Sequence, residues 1–278
     1  MRRRPDHVPA FSGHLLLEAA PDGGGRTVLA RQSFRAPFHL SKPYAHDAAL
    51  QVQIVNPTAG MLEGDRLELD VTVRAGAALL VTTPSHARAF RARGAGGVAC
   101  RQRLAVEAGG WLDWWPEPLV PHAGSDYRQE TSIAFAAGAS LFFCDAVAPG
   151  RIARGERWAW RRLALGLTVT EGARPILRER FDLAADHAAQ LAQLAGQPDA
   201  WLATCVLVGA GDEPERWAAL RTLHAGPVWI GASRLPAVRA HALRIIAPDG
   251  GQLRGTIAAV RRIFAPVLPG LGVPLRRV

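Results

Sequence analysis

The sequence has 278 residues, nearly half of them apolar, with 28 glycines and 20 prolines; one sizeable core can be buried, and that glycine and proline content disfavours long helices and favours short strands joined by tight turns. The formal charge of +9 is almost wholly arginine, Lys42 being the only lysine, and with no basic run and no interleaved aromatics it argues for an acidic protein partner over nucleic acid. Cys100, Cys144 and Cys205 stand singly, which excludes a disulfide framework or a zinc module, while the absence of a signal-peptide core after Leu15-Leu16-Leu17 and of any run near the ~20 apolar residues of a membrane span makes a cytoplasmic protein the expectation.

Along the chain, a strand-turn-strand unit recurs. In its first copy Leu67, Leu69, Val71 and Val73 alternate at period two, the chain turns at Gly76, and a second apolar strand ends on polar Thr82-Thr83. RQRLAVEAGGWLDWWPEP repeats the unit with a turn at Gly109, RQETSIAFAAGASLFFCDAV at Gly138 and RLALGLTVTEGARPILRER at Gly172. The glycines lie roughly 30 residues apart, a period that marks stacked architectures in which no unit buries its apolar face alone. The expectation is a mainly β, elongated, layered helical body over about 12–181.

Seven residues past each turn glycine stand Thr83, Pro116, Asp145 and Glu179, with Glu117 one step beyond its proline. In-register stacking would set neighbouring copies about 4.8 Å apart. Carboxylates that close repel unless a cation or water lies between them, so the line is a candidate route for a divalent metal; the competing reading is strands that simply end in solvent.

Beyond Phe181 the texture becomes mixed. Leu183 to Leu194 reads as a helix, Trp201 to Val208 as a buried strand, and Asp212 to Leu223 as a helix capped by Asp212. Val228 to Ser233 and His241 to Ala247 read as paired strands, and Gly251 to Phe264 as a closing helix with Ile257, Val260, Ile263 and Phe264 on one face. Two or three helices thus close the body over about 182–278, and with no Pro/Ser-rich linker the expectation is one domain over 1–278.

Catalytic signatures are missing. No phosphate-binding loop, nucleophile elbow or zinc-protease helix occurs, and the histidines, His86 and His122 among them, are scattered singly.

The segments NPTAGMLEGDRLELDVTVRAGAALLVTTPSHARAFR, WLDWWPEPLVPHAGSDYRQET, FCDAVAPGRIARGE and PILRERFDL, between about Asn56 and Arg180, and GASRLP and LRIIAPDGGQLRGTI beyond them, occur in this order. Together they resemble the urease accessory protein UreD (UreH) family. The chain departs in reading Arg88-Ala89-Phe90-Arg91 where the family has Lys-x-Tyr-Arg, and Ala148-Pro149 where a cysteine is common. The resemblance implies a non-catalytic scaffold that helps insert nickel into apo-urease in a hetero-oligomer with UreF and the GTPase UreG, with no tightly bound cofactor and Ni2+ held only in transit. It implies Asp65, Ser85, Asp145 and Glu179 as contacts along an internal nickel path, and structural or interface roles for Arg88, Phe90, Arg91, Glu117, Arg151, Glu156 and Arg180. Two alternatives stay open: a metal-dependent hydrolase using Asp65, Asp145 and Glu179, which would lack a histidine or general base at convincing spacing, and a diverged paralogue delivering metal to another enzyme.

Overall fold

The computed structural model describes residues 10–47, 49–184, 187, 190, 193–194, 196–236 and 239–275. It opens with a hairpin of β1 (Ser12–Pro21) and β2 (Thr27–Arg35); short β3 (His39–Leu40) and β4 (Tyr44–His46) both pair with β5 (Ala49–Val55). Three coils follow. β6 (Arg66–Val73) turns into β7 (Ala78–Thr82) and leads on to β8 (Ala87–Ala89); β9 (Val98–Val106) turns into β10 (Trp111–Trp114) and leads on to β11 (Leu119–Pro121); β12 (Asp126–Phe135) turns into β13 (Ser140–Val147). The chain then runs through β14 (Arg162–Glu171), β15 (Arg174–Ala184), β16 (Trp201–Val208), helix α1 (Pro214–Thr222), β17 (Trp229–Arg234), β18 (Ala240–Ala247) and helix α2 (Gly250–Phe264).

The first strand of every coil joins one sheet, in the order β15-β14-β12-β9-β6-β1-β2, and the second joins the other, β17-β18-β16-β13-β10-β7-β5-β3. Successive coils pair in parallel, as a solenoid requires. Two-residue alternation then decides what each face carries. Leu67, Leu69, Val71 and Val73 of β6 point into the space between the sheets and are buried, whereas Glu68 pairs with Arg101, and Asp70 with Arg103, on the solvent side. The register Glu68–Arg101–Glu130 alternates charge across three strands, so this outer face is a solvated ion-pair ladder and not a basic patch.

The second sheet is covered on both faces, and its strands accordingly read as continuous apolar runs. Leu79, Leu112, Leu141 and Phe143 face the first sheet; Leu80, Trp111, Phe142 and Cys144 face the C-terminal helix α2. The helix is fastened there by Arg261, which makes two hydrogen bonds of 2.6 and 2.7 Å to the fully buried Asp113 and lies over the rings of Trp115 and Phe142. Asp249 caps its N-terminus by accepting from Gln252 N at 2.8 Å. Among the described residues, no helix is long and apolar enough to cross a membrane.

Several expectations are corrected. The first three turns are alike: Ala77 N donates to Arg74 O, Gly110 N to Glu107 O and Ala139 N to Ala136 O, with Gly76, Gly109 and Gly138 at φ between 71 and 81°, a conformation glycine adopts without strain. Four residues separate the strands in each, enough to step from one sheet to the other. The fourth copy lacks the alanine before its glycine, so Glu171 and Arg174 pair directly across Gly172-Ala173. A two-residue loop makes a hairpin, and β15 lies antiparallel to β14 in the first sheet. Glu179 is therefore not the in-register neighbour of Asp145; Asp145 pairs with Thr204 of antiparallel β16. Leu183 and Ala184 finish β15 instead of starting a helix, and most of the rest of Leu183–Leu194 lies outside the described residues. Asp212 does not cap α1, which starts after Glu213 with Pro214 in its first turn; Asp212 instead meets His241 and Arg234.

Candidate functional site: a polar row between two cavities

The parallel register Leu79–Leu112–Leu141 to Val81–Trp114–Phe143, carried two residues further, brings Thr83, Pro116 and Asp145 to one level on the inner face of the second sheet. Opposite them, on the inner face of the first sheet, apolar alternation is interrupted. β12 continues Phe135 and Ile133 with Thr131, Gln129 and Tyr127, and β9 offers Gln102 and Cys100 beside Thr131 and Gln129. All these side chains are buried, so their polar atoms must find partners inside.

They find one another. Tyr127 Oη donates to Gln129 Oε1 at 2.7 Å, Gln129 Nε2 donates to Thr131 Oγ1 at 3.3 Å and to Asp145 Oδ2 at 2.5 Å, and Thr131 Oγ1 donates to Gln102 Oε1 at 3.3 Å. The row thus crosses from one sheet to the other and ends on the Asp145 carboxylate. Burial pushes that carboxyl up to about 6, the hydrogen bonds from Gln129 and Ala146 N opposing the shift. The same burial pushes the Cys100 thiol up to about 12 and raises the Tyr127 hydroxyl well above its ordinary value, so neither is an anionic ligand at neutral pH.

Asp145 is common to the walls of two cavities. The larger, of about 570 Å³, lies between β13, β14, β15, β16 and β18 and is lined by Thr131, Asp145, Leu167, Glu179, Thr204 and Arg244 among others. The smaller, of about 170 Å³, runs on the other side under Thr83, Ser85, His86, Arg88 and Glu117 to Cys100, Gln102, Gln129 and Asp145.

Glu179 reaches the larger cavity from the facing sheet, where it pairs with Arg244 of β18. Asp145 and Glu179 are thus brought to one cavity, by a hairpin and not by stacking. Ser85 is exposed and lines the smaller cavity, and Glu117, buried, lies near its mouth against Arg254 and His86. Asp65 stands apart from this space. Its buried carboxylate accepts from Phe11 N and Leu62 N, each at 2.8 Å, and clasps the turn before β6 to the N-terminal strand.

Four of the residues expected at an interface gather elsewhere. Phe90, Arg91, Arg151 and Glu156 line a third cavity of about 940 Å³ with Glu63 and His122. Glu156 is paired with Arg151 and accepts from Ala123 N at 3.0 Å, which holds its carboxyl down at about 2; the Phe90 and His122 rings meet edge to face at 4.8 Å. Arg88 is exposed on β8 at the wall of the smaller cavity, and Arg180 is exposed on β15, lines the larger cavity and reaches Asp182 at 3.0 Å.

Sequence reasoning passed over Gln102, Gln129, Thr131 and Arg244. The signal for three of them was available: polar residues on the inward parity of strands whose other inward positions are Leu104, Val106, Ile133 and Phe135. Among the described residues, no three His, Cys, Asp or Glu side chains converge to hold a metal ion. Within the apolar core the polar row offers neutral oxygens and one carboxylate, a donor set suited to weak contact with a hydrated divalent cation and not to tight binding.

The model of the family described as "UreD urease accessory protein" matches residues 12–278. A urease accessory protein UreD of Opitutus terrae is 48% identical over 272 residues, covering 96% of this chain and 99% of its own length. Those of Sorangium cellulosum and Haloarcula marismortui are 40% and 32% identical over 202 and 250 residues, covering 72% and 88% of this chain and 62% and 82% of their own. A two-sheet solenoid of this kind, matched over nearly its whole length, belongs to the UreD family of urease accessory proteins.

Proposed function

We propose that this accessory protein, itself not a catalyst, passes Ni2+ to apo-urease through the space between its two sheets, within a complex with UreF and UreG. The observation that carries the reading is the position of Asp145: one carboxylate stands in the walls of both cavities and terminates the polar row that joins the sheets. A hydrated dication in an otherwise apolar core needs partners that replace its water without trapping it. The Gln102, Gln129 and Thr131 oxygens supply neutral contacts, and Asp145 supplies one charge. Glu179 and Arg244 stand at the far side of the larger cavity, where a carboxylate that exchanges its arginine for the metal stays compensated throughout.

The larger assembly takes energy through UreG, the GTPase, which accords with a chain that carries no nucleotide loop of its own. The third cavity, with Arg91 and Arg93 beside the Arg151–Glu156 pair, is the face for an acidic partner surface.

The test is Asp145→Asn, co-expressed with the urease subunits and the other accessory proteins. Removing a charge that burial already disfavours leaves the fold intact, so the variant is expected to co-purify with UreF and UreG while urease nickel content and activity fall about tenfold or more. Urease loaded with nickel to the wild-type level would overturn the reading.

A further inference from the structure

At the outer mouth of the smaller cavity three groups share one oxygen. Arg254 Nη2 lies 2.6 Å from Glu117 Oε2, and His86 Nε2 lies 3.5 Å from the same atom. They are held with unequal firmness. The Glu117 side chain is only 5% exposed, and its backbone N–H donates to Thr83 Oγ1 at 2.8 Å, which fixes the carboxylate against the wall. Arg254, from the second turn of α2, is 51% exposed, so its guanidinium is readily rehydrated when another cation takes its place. His86 is 38% exposed, its ring 5.9 Å from that of Trp201.

We propose that His86 and Glu117 form a docking site for a first-row divalent cation at this mouth, with Arg254 as the counter-ion that occupies it between loads. The inference rests on the reading of the cavity as a metal passage and adds to it the point of capture. An imidazole nitrogen with one carboxylate oxygen prefers nickel or zinc to magnesium or calcium. Two protein ligands leave the remaining positions to water, and the Thr83 and Ser85 hydroxyls in the same wall can hydrogen-bond that water. The exchange also keeps charge balanced. A carboxylate this buried cannot stand uncompensated, and one cation replaces another as the guanidinium leaves and the metal enters.

The experiment uses the untagged full-length chain and NiCl2 alone, read by isothermal titration and by X-ray absorption at the nickel edge. Wild type is expected to show a weak site with an imidazole in the metal's shell. His86→Ala should weaken that site about tenfold or more and remove the imidazole signature, whereas Arg254→Gln should tighten it by removing the competitor. An unchanged affinity and imidazole signature in His86→Ala, or weaker binding in Arg254→Gln, would overturn the site. Asp145→Asn separates the two claims: it should keep the His86-dependent binding while losing urease activation. A His86 variant that binds as wild type, beside an Asp145 variant that blocks activation, removes the capture point and leaves the passage; the converse pair of results does the opposite.

Discussion

Asp65 and Asp145 are both carboxylates inside the β-body, yet their neighbours give them opposite parts. Two backbone amides take up the oxygens of Asp65, so its charge is spent on closing a turn; Asp145 accepts from the Gln129 side chain and from Ala146 N and keeps an open cavity on either side. Glu156 belongs with the first kind. Its folded carboxyl sits near 2, drawn down first by Arg151 and then, against the opposing cost of burial, by the Ala123 amide, from an ordinary value of 4.5. The pair therefore stabilises the fold fully above about pH 4.5, and that contribution is lost as pH falls from there towards 2. With 32% of the Arg151 side chain and 19% of the Glu156 side chain in contact with water, screening leaves roughly 0.5–1 kcal/mol at neutral pH. Glu156→Gln should lower the urea midpoint accordingly at pH 7, and the gap from wild type should narrow at pH 3.5; a constant gap would show that the charge is not its source.

At the scale of elements, the coils were readable because inward and outward positions alternate at period two and the turn glycines recur. Glu179 was misplaced for a reason that is also in the chain: Ala75, Ala108 and Ala137 precede the first three turn glycines, and Glu171 precedes the fourth, so the last loop is two residues short. What no local pattern could give is pairing over long separations. Asp113 reads as a polar break in WLDWW, and only the fold reveals Arg261, 148 residues on, as its partner. That pair holds α2 to the second sheet inside an aromatic sandwich, and breaking one member leaves the other buried and charged. Asp113→Ala should cost about 3–5 kcal/mol, whereas the double change Asp113→Leu with Arg261→Met should recover most of it. Thermal unfolding of the three chains decides this, and equal losses in the single and double variants would mean that packing alone, not the stranded charge, sets the cost.

For the whole molecule, the passage proposed between two sheets joined by a polar row raises the question of whether space or charge would govern it. Thr204 separates the two. It pairs with Asp145 across β13 and β16 and lines the larger cavity, and paired residues carry their side chains on one face about 5 Å apart. Thr204→Phe would fill the volume beside Asp145 without altering any charge, and an aromatic is well suited to a strand. Thr204→Val keeps the shape and removes only a hydroxyl. If the cargo travels through this cavity, Thr204→Phe should reduce the nickel content of co-expressed urease as far as Asp145→Asn does, with UreF and UreG still co-purifying, while Thr204→Val stays close to wild type. Normal urease loading by the phenylalanine variant would count against passage beside Asp145, since a ring there narrows the larger cavity at that carboxylate.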